Sequence, residues 1–84
     1  MVTSKDVVIL KDSSIIITAK EFEIIKLVAW GLSNKEIGEK LGMSPRTVQQ
    51  HLLTIFEKLE VHNRTEMVTM LILSGKISVE DLKK

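Results

Sequence analysis

Gln49 and Gln50 stand side by side in the stretch Thr47-Val48-Gln49-Gln50-His51. Each carries a donor and an acceptor on one planar amide, the pair of groups that can meet N6 and N7 of adenine in a major groove. Arg46 and Leu53 fall on the same side at helical spacing, with Glu57 one turn further on. Thr47, His51, Thr54 and Lys58 recur along one margin and can hydrogen-bond a phosphate strand. Lys35 brings a positive charge to the first turn of another helix, where free backbone N–H groups already attract anions. This is the chemistry of binding. The chain has no paired-carboxylate cleft, nucleophile–histidine pattern, phosphate-cradling glycine loop or metal-ligand spacing, so no enzyme, cofactor or metal is expected. Taken singly, Gln, Thr and Lys are also ordinary residues of a solvated helix face, and a lone His51 is ordinary as a hydrogen-bonding group. Only an ordered placement makes them a site.

The elements that must supply that placement are legible from their ends. Thr18-Ala19-Lys20-Glu21, Ser33-Asn34-Lys35-Glu36 and Asn63-Arg64-Thr65-Glu66 each set an oxygen-bearing side chain three residues before a glutamate, the pattern of a reciprocal N-terminal cap. Ser44-Pro45 adds a fourth start, with a proline where the missing N–H costs nothing. Gly31, Gly42 and Gly75 are placed to end helices. The expected helices are 18–30, 33–41, 44–59 and 63–74. Within the third, Val48, Leu52, Ile55 and Leu59 form a narrow apolar stripe that must face the core. Arg46, Gln50, Leu53 and Glu57 are then directed away from it, with Gln49 at one margin. A helix of this kind, entered through the tight turn Leu41-Gly42-Met43-Ser44 from a short predecessor, predicts a helix-turn-helix. Before the helices, Val7–Leu10 and Ile15–Ile17 are β-branched runs around the turn Lys11-Asp12-Ser13-Ser14, which predicts a short hairpin or an extended arm.

The 84-residue chain has room for one small domain, and it has no cysteine to staple it. Its 12 Lys and Arg against 11 Asp and Glu leave a formal charge of +1, so any basic surface must come from placement. No apolar run approaches the roughly 20 residues of a membrane span, and no membrane partner is expected.

The segment GLSNKEIGEKLGMSPRTVQQHLLTIFEKLEVHNRTEMV resembles the DNA-binding domain of LuxR-type (GerE-type) bacterial transcription regulators. The likeness begins at ITAKEFEIIKLVAWG and runs to Gly75, about two-thirds of the chain. It rests on Gly31, Asn34 to Ile37, Leu41, Ser44, Thr47-Val48, His51, Ile55, Lys58-Leu59 and Arg64. The resemblance implies an all-α, four-helix domain with the possible short N-terminal hairpin, organised as an arm at 1–17, the helix-turn-helix domain at 18–75 and a tail at 76–84. It further implies sequence-specific binding of double-stranded DNA, with helix 44–59 in the major groove. Base contacts are expected from Gln49, Gln50, Leu53 and Arg46, and phosphate contacts from Thr18, Lys35, Ser44, Thr47, His51, Thr54 and Lys58. The last helix, 63–74, often serves dimerisation in the family, and here the spacing of Met67, Met70 and Leu71, with Val68 and Ile72 half a turn round, makes it apolar over more than one face. A homodimer on DNA with Met67, Met70 and Leu71 at its interface is expected, the alternative being a monomer whose second face is covered by Ile9, Ile16 and the hairpin. Contact with RNA polymerase, a cytoplasmic location at the bacterial nucleoid and a role as response-regulator effector domain complete what the family implies. A receiver or sensor domain usually precedes this module in the family, and 84 residues do not hold one as well. The chain is therefore expected to be an effector domain or a small stand-alone regulator.

Departures from the family pattern lie at Leu53 and Glu57, where polar or basic residues are usual, at Gly38, where alanine is usual, and at Trp30, where a charged residue is common. Leu53 can meet a thymine methyl and Glu57 a cytosine amino group. Gly38 should weaken its helix by up to about 1 kcal/mol. Trp30 should cap the core against the hairpin or join a protein contact. Two other functions remain open: a protein-interaction module of the same fold that has lost DNA binding, motivated by the near-neutral charge, and a domain like region 4 of a sigma factor.

Overall fold

The computed structural model describes residues 2–3, 7–10 and 14–83. Three short strands, β1 (Val2–Thr3), β2 (Val7–Ile9) and β3 (Ile16–Thr18), form an antiparallel sheet in that order. Val8 pairs with Ile17 and Ile9 with Ile16, and Leu10 N–H donates to the Ile15 carbonyl across the hairpin end. The hairpin is therefore present, with β1 as an additional strand; its turn residues 11–13 lie outside the described residues. Alternation along β3 sends Ile17 inward and leaves Ile16 and Thr18 exposed. The sheet packs on the first helix.

Four helices follow: α1 (Ala19–Ala29), α2 (Asn34–Leu41), α3 (Pro45–Leu59) and α4 (Arg64–Leu73). Their N-caps are Thr18, Ser33, Ser44 and Asn63, each accepting a backbone N–H in the first turn, and the first two complete the reciprocal box with Glu21 and Glu36. The sequence placed all four starts because a cap is a local contact within four residues. The stop of α3 is different. Its C-cap is Glu60, held at φ 56°, a left-handed conformation that favours glycine.

The core joins Leu10 and Ile17 from the N-terminal segment to Ile24, Ile25, Ile37, Val48, Leu52, Ile55, Met67 and Leu71 from the helices. It also takes in Ile77 and Leu82. The segment after Gly75, expected as a tail, turns back over the domain. It ends in a 3-10 turn at Glu80–Leu82, fixed by Ser78 and Asp81 exchanging backbone and side-chain hydrogen bonds. Trp30 belongs to this closure: its indole N–H donates to the Leu82 carbonyl, and Lys26 lies 5.6 Å above its ring. Trp30 is half-buried against the core, and the returning C-terminal segment supplies the acceptor its indole needs. Among the described residues no helix is long and apolar enough to cross a membrane.

Candidate nucleic-acid interface

The turn between α2 and α3 sets the geometry of the site. Gly42 adopts φ 70° as C-cap of α2, and Met43 N–H donates back to the Gly38 carbonyl at 3.0 Å. The Met43 carbonyl then folds so closely over Gly38 that a Cβ there would lie inside contact distance of its oxygen. A side chain at Gly38 would therefore require this turn to shift. Ser44 starts α3 by accepting the Thr47 N–H at 3.1 Å, with Pro45 in the first turn.

Once started, α3 buries Val48, Leu52, Ile55, Phe56 and Leu59. That is the expected stripe with Phe56 added. The far side carries Arg46, Gln49, Gln50, Leu53, Thr54 and Glu57, all exposed, and Leu53 keeps 55% of its surface in solvent. Leu53 thus sets one apolar group among the polar side chains of that face.

The polar residues separate into three groups. Among the described residues the side chains of Lys35, Arg46, Gln50 and His51 have no hydrogen-bond or ion-pair partner, so their donors and acceptors are available. Others already serve the fold. Thr18 caps α1, Ser44 and Thr47 share a 3.0 Å hydroxyl contact, and the Thr54 hydroxyl donates to the Gln50 carbonyl at 3.2 Å. Lys58 is bound at 2.7 Å to Oε1 of Glu21, the one buried charged residue among those described. Burial tends to raise the Glu21 pKa, but hydrogen bonds from Lys58 and the Thr18 backbone N–H, with the Lys58 charge, outweigh it and leave the carboxyl below its ordinary value. The exposed Glu36 carboxyl is also lowered, by its hydrogen bonds with Ser33.

The third group is a relay. Arg64 at the start of α4 donates to the Leu32 carbonyl at 2.8 Å and to Oδ1 of Asn34. Asn34 Nδ2 in turn donates to Oε1 of Gln49 at 2.9 Å. Gln49 is legible in the sequence but its tether is not, since residues 15 and 30 positions apart meet only in the folded chain. The ion pair of Glu21 with Lys58 was hidden the same way, its glutamate being legible only as a cap.

Of the residues expected at a dimer interface, Met67 and Leu71 lie inside the protomer, at 0% and 1% exposure, and Met70 is half-buried. Packing of α4 on α1 and α3 takes that face. The opposite line is Thr65, Thr69 and Leu73, bordered by half-buried Val68 and Ile72. Val28, Ala29, Arg64, Thr65, Val68 and Thr69 line a shallow depression beside it.

Comparison with known proteins agrees with this architecture. The chain is 52% identical over 58 residues to the monoamine regulon transcriptional regulator of Klebsiella aerogenes, covering 69% of this chain and 26% of that protein. It is 38% identical over 65 residues to the transcriptional regulatory protein YdfI of Bacillus subtilis, covering 77% and 30%. With the transcriptional regulatory protein DegU of Brevibacillus brevis it shares 39% over 64 residues, covering 76% and 27%. The chain thus spans less than a third of the length of each of these relatives. No solved structure matches it. The family description "Bacterial regulatory proteins, luxR family" matches residues 16–71, from β3 into α4 and across the whole helix-turn-helix, and the chain belongs to that family.

Proposed function

We propose that this domain is the DNA-binding part of a transcription regulator, with α3 in the major groove of double-stranded DNA. The observation that carries the reading is the uncovered outer face of α3, on which Arg46, Gln49, Gln50 and Leu53 project together from the second helix of a tight turn. Family membership and the names of the relatives support it. In this reading Gln49, Gln50, Leu53 and Arg46 meet base edges. Lys35, Ser44, Thr47, His51 and Thr54 meet phosphates, joined by Thr18 and by Lys58 through the ammonium hydrogens that Glu21 leaves free.

A net charge of +1 makes one copy a weak electrostatic binder. Two copies on adjoining half-sites raise affinity through effective concentration. The homodimer would use the exposed side of α4, with Leu73 at 81% exposure, together with Val68, Ile72 and the half-buried Met70. Met67 and Leu71 would support that surface from within. RNA polymerase is a further proposed partner, at the bacterial nucleoid.

Selection of bound sites from random duplexes tests the reading, with affinity measured across salt. The expected result is a motif of two related half-sites and a steep fall in affinity with salt, as several phosphates require. Gln50→Ala should relax base preference at one or two positions, whereas Lys35→Ala should weaken all duplexes alike. Salt-indifferent association and no enriched motif would favour the protein-interaction module instead.

A further inference from the structure

We propose that Asn34 fixes the polarity of the Gln49 amide, so that Gln49 meets DNA as a hydrogen-bond donor and selects guanine at the base pair it faces. The inference rests on the DNA-binding reading above. It follows from what each group can donate. A guanidinium carries donors only, so the Asn34 atom turned to Arg64 must be its oxygen. That sends Nδ2 of Asn34 toward α3, and the Gln49 atom that receives it must be Oε1. The carbonyl of Gln49 is thereby drawn to α2, and its Nε2 is the end left for the groove. Arg64 is itself anchored on the Leu32 carbonyl, so the polarity starts from fixed backbone.

The consequence is a division of labour between neighbouring glutamines. A bidentate pair with adenine needs the acceptor and the donor of one amide together. Gln50 has both available among the described residues, while Gln49 has its acceptor engaged by Asn34. An outward NH2 fits guanine best, because its major-groove edge offers two acceptors, N7 and O6, against one each on adenine (N7) and thymine (O4). Cytosine offers only an amino donor there and is rejected. Asn34 touches no base in this account; it is a positioning residue, and Arg64 fixes its amide in turn.

The test inverts the polarity without changing shape. Asn34→Asp places a second acceptor opposite Gln49, so that Nε2 turns inward and Oε1 outward. The substitution lies in the first turn of α2, where an acidic group is favoured, so folding is retained. Affinities for duplexes carrying each base at every operator position are compared for the wild type, Asn34→Asp and Gln49→Ala. The wild type should prefer guanine about fivefold or more at one position, Gln49→Ala should erase that preference there, and Asn34→Asp should move it to adenine or cytosine. A guanine preference that survives Asn34→Asp but not Gln49→Ala overturns the proposal, as does a Gln49→Ala variant whose preferences are unchanged. NMR of the free protein separates failure of the tether from failure of the DNA reading. The Asn34 side-chain amide resonance should move in Gln49→Ala, and if it stays the tether is absent. If it moves but the wild type selects no duplex, the DNA reading has failed and the base assignment falls with it.

Discussion

Lys58 is a residue with two masters. Its place in line with Thr47, His51 and Thr54 suits a phosphate, but its ammonium is held at 2.7 Å by Glu21 from α1. Glu21 in turn accepts the Thr18 N–H at 2.7 Å and donates its own N–H to the Thr18 hydroxyl, so one side chain caps α1 and ties α3 to it. Glu21→Gln keeps the shape and removes the charge, and should cost about 1–2 kcal/mol, since Lys58 lies partly in solvent and screening weakens the pair. The pH dependence has a definite sign. A carboxyl lowered in the folded state stabilises it above the ordinary value of 4.5, and that contribution is lost as pH falls below 4.5 through the lower folded-state value. Urea midpoints below pH 4.5 should therefore fall less steeply in Glu21→Gln than in the wild type. Parallel acid limbs would mean that folding does not lower the Glu21 pKa.

Between α2 and α3 the deciding contact is made by the backbone. Helix propensity alone says that Gly38→Ala should stabilise α2 by about 1 kcal/mol. The structure reverses the sign, because the added methyl would strike the Met43 carbonyl, a main-chain group fixed by the Gly42 turn and the Ser44 cap. Gly38→Ala should lower stability by about 1–3 kcal/mol in equilibrium unfolding, as overpacking does, and weaken binding to all duplexes by shifting α3. A more stable variant would show that the turn relaxes freely. At the other end of α3 the same limit of sequence reading appears in Glu60, whose left-handed conformation carries no glycine to announce it.

For the molecule as a whole, closure comes from the C-terminal return. Ile77 is 1% exposed and Leu82 8%, and the Leu82 carbonyl satisfies Trp30 at the end of α1. A domain of this size has a total stability on the order of 5–15 kcal/mol, so any core side chain is a large fraction of it. Ile77→Ala should remove about 2–4 kcal/mol, lowering Tm by about 8 °C or more at roughly 4–8 °C per kcal/mol, with the Trp30 fluorescence shifting as its cover loosens. An unchanged Tm would return residues 76–83 to the status of a tail.

What the sequence determined is local or periodic. The four caps, the buried stripe of α3 and the outward placement of Arg46, Gln50 and Leu53 follow from contacts within four residues and a 3.6-residue repeat, and the ordered motif carried the family as well. What tertiary structure decided joins residues far apart in the chain. Asn34 turns the Gln49 amide, Glu21 claims Lys58, the Met43 carbonyl crowds Gly38, and α1 and α3 draw Met67 and Leu71 inward from a surface their spacing had suggested. Periodicity tells which side of a helix is apolar; only the packed neighbours tell which polar groups are already taken, and that decides what remains to read a base.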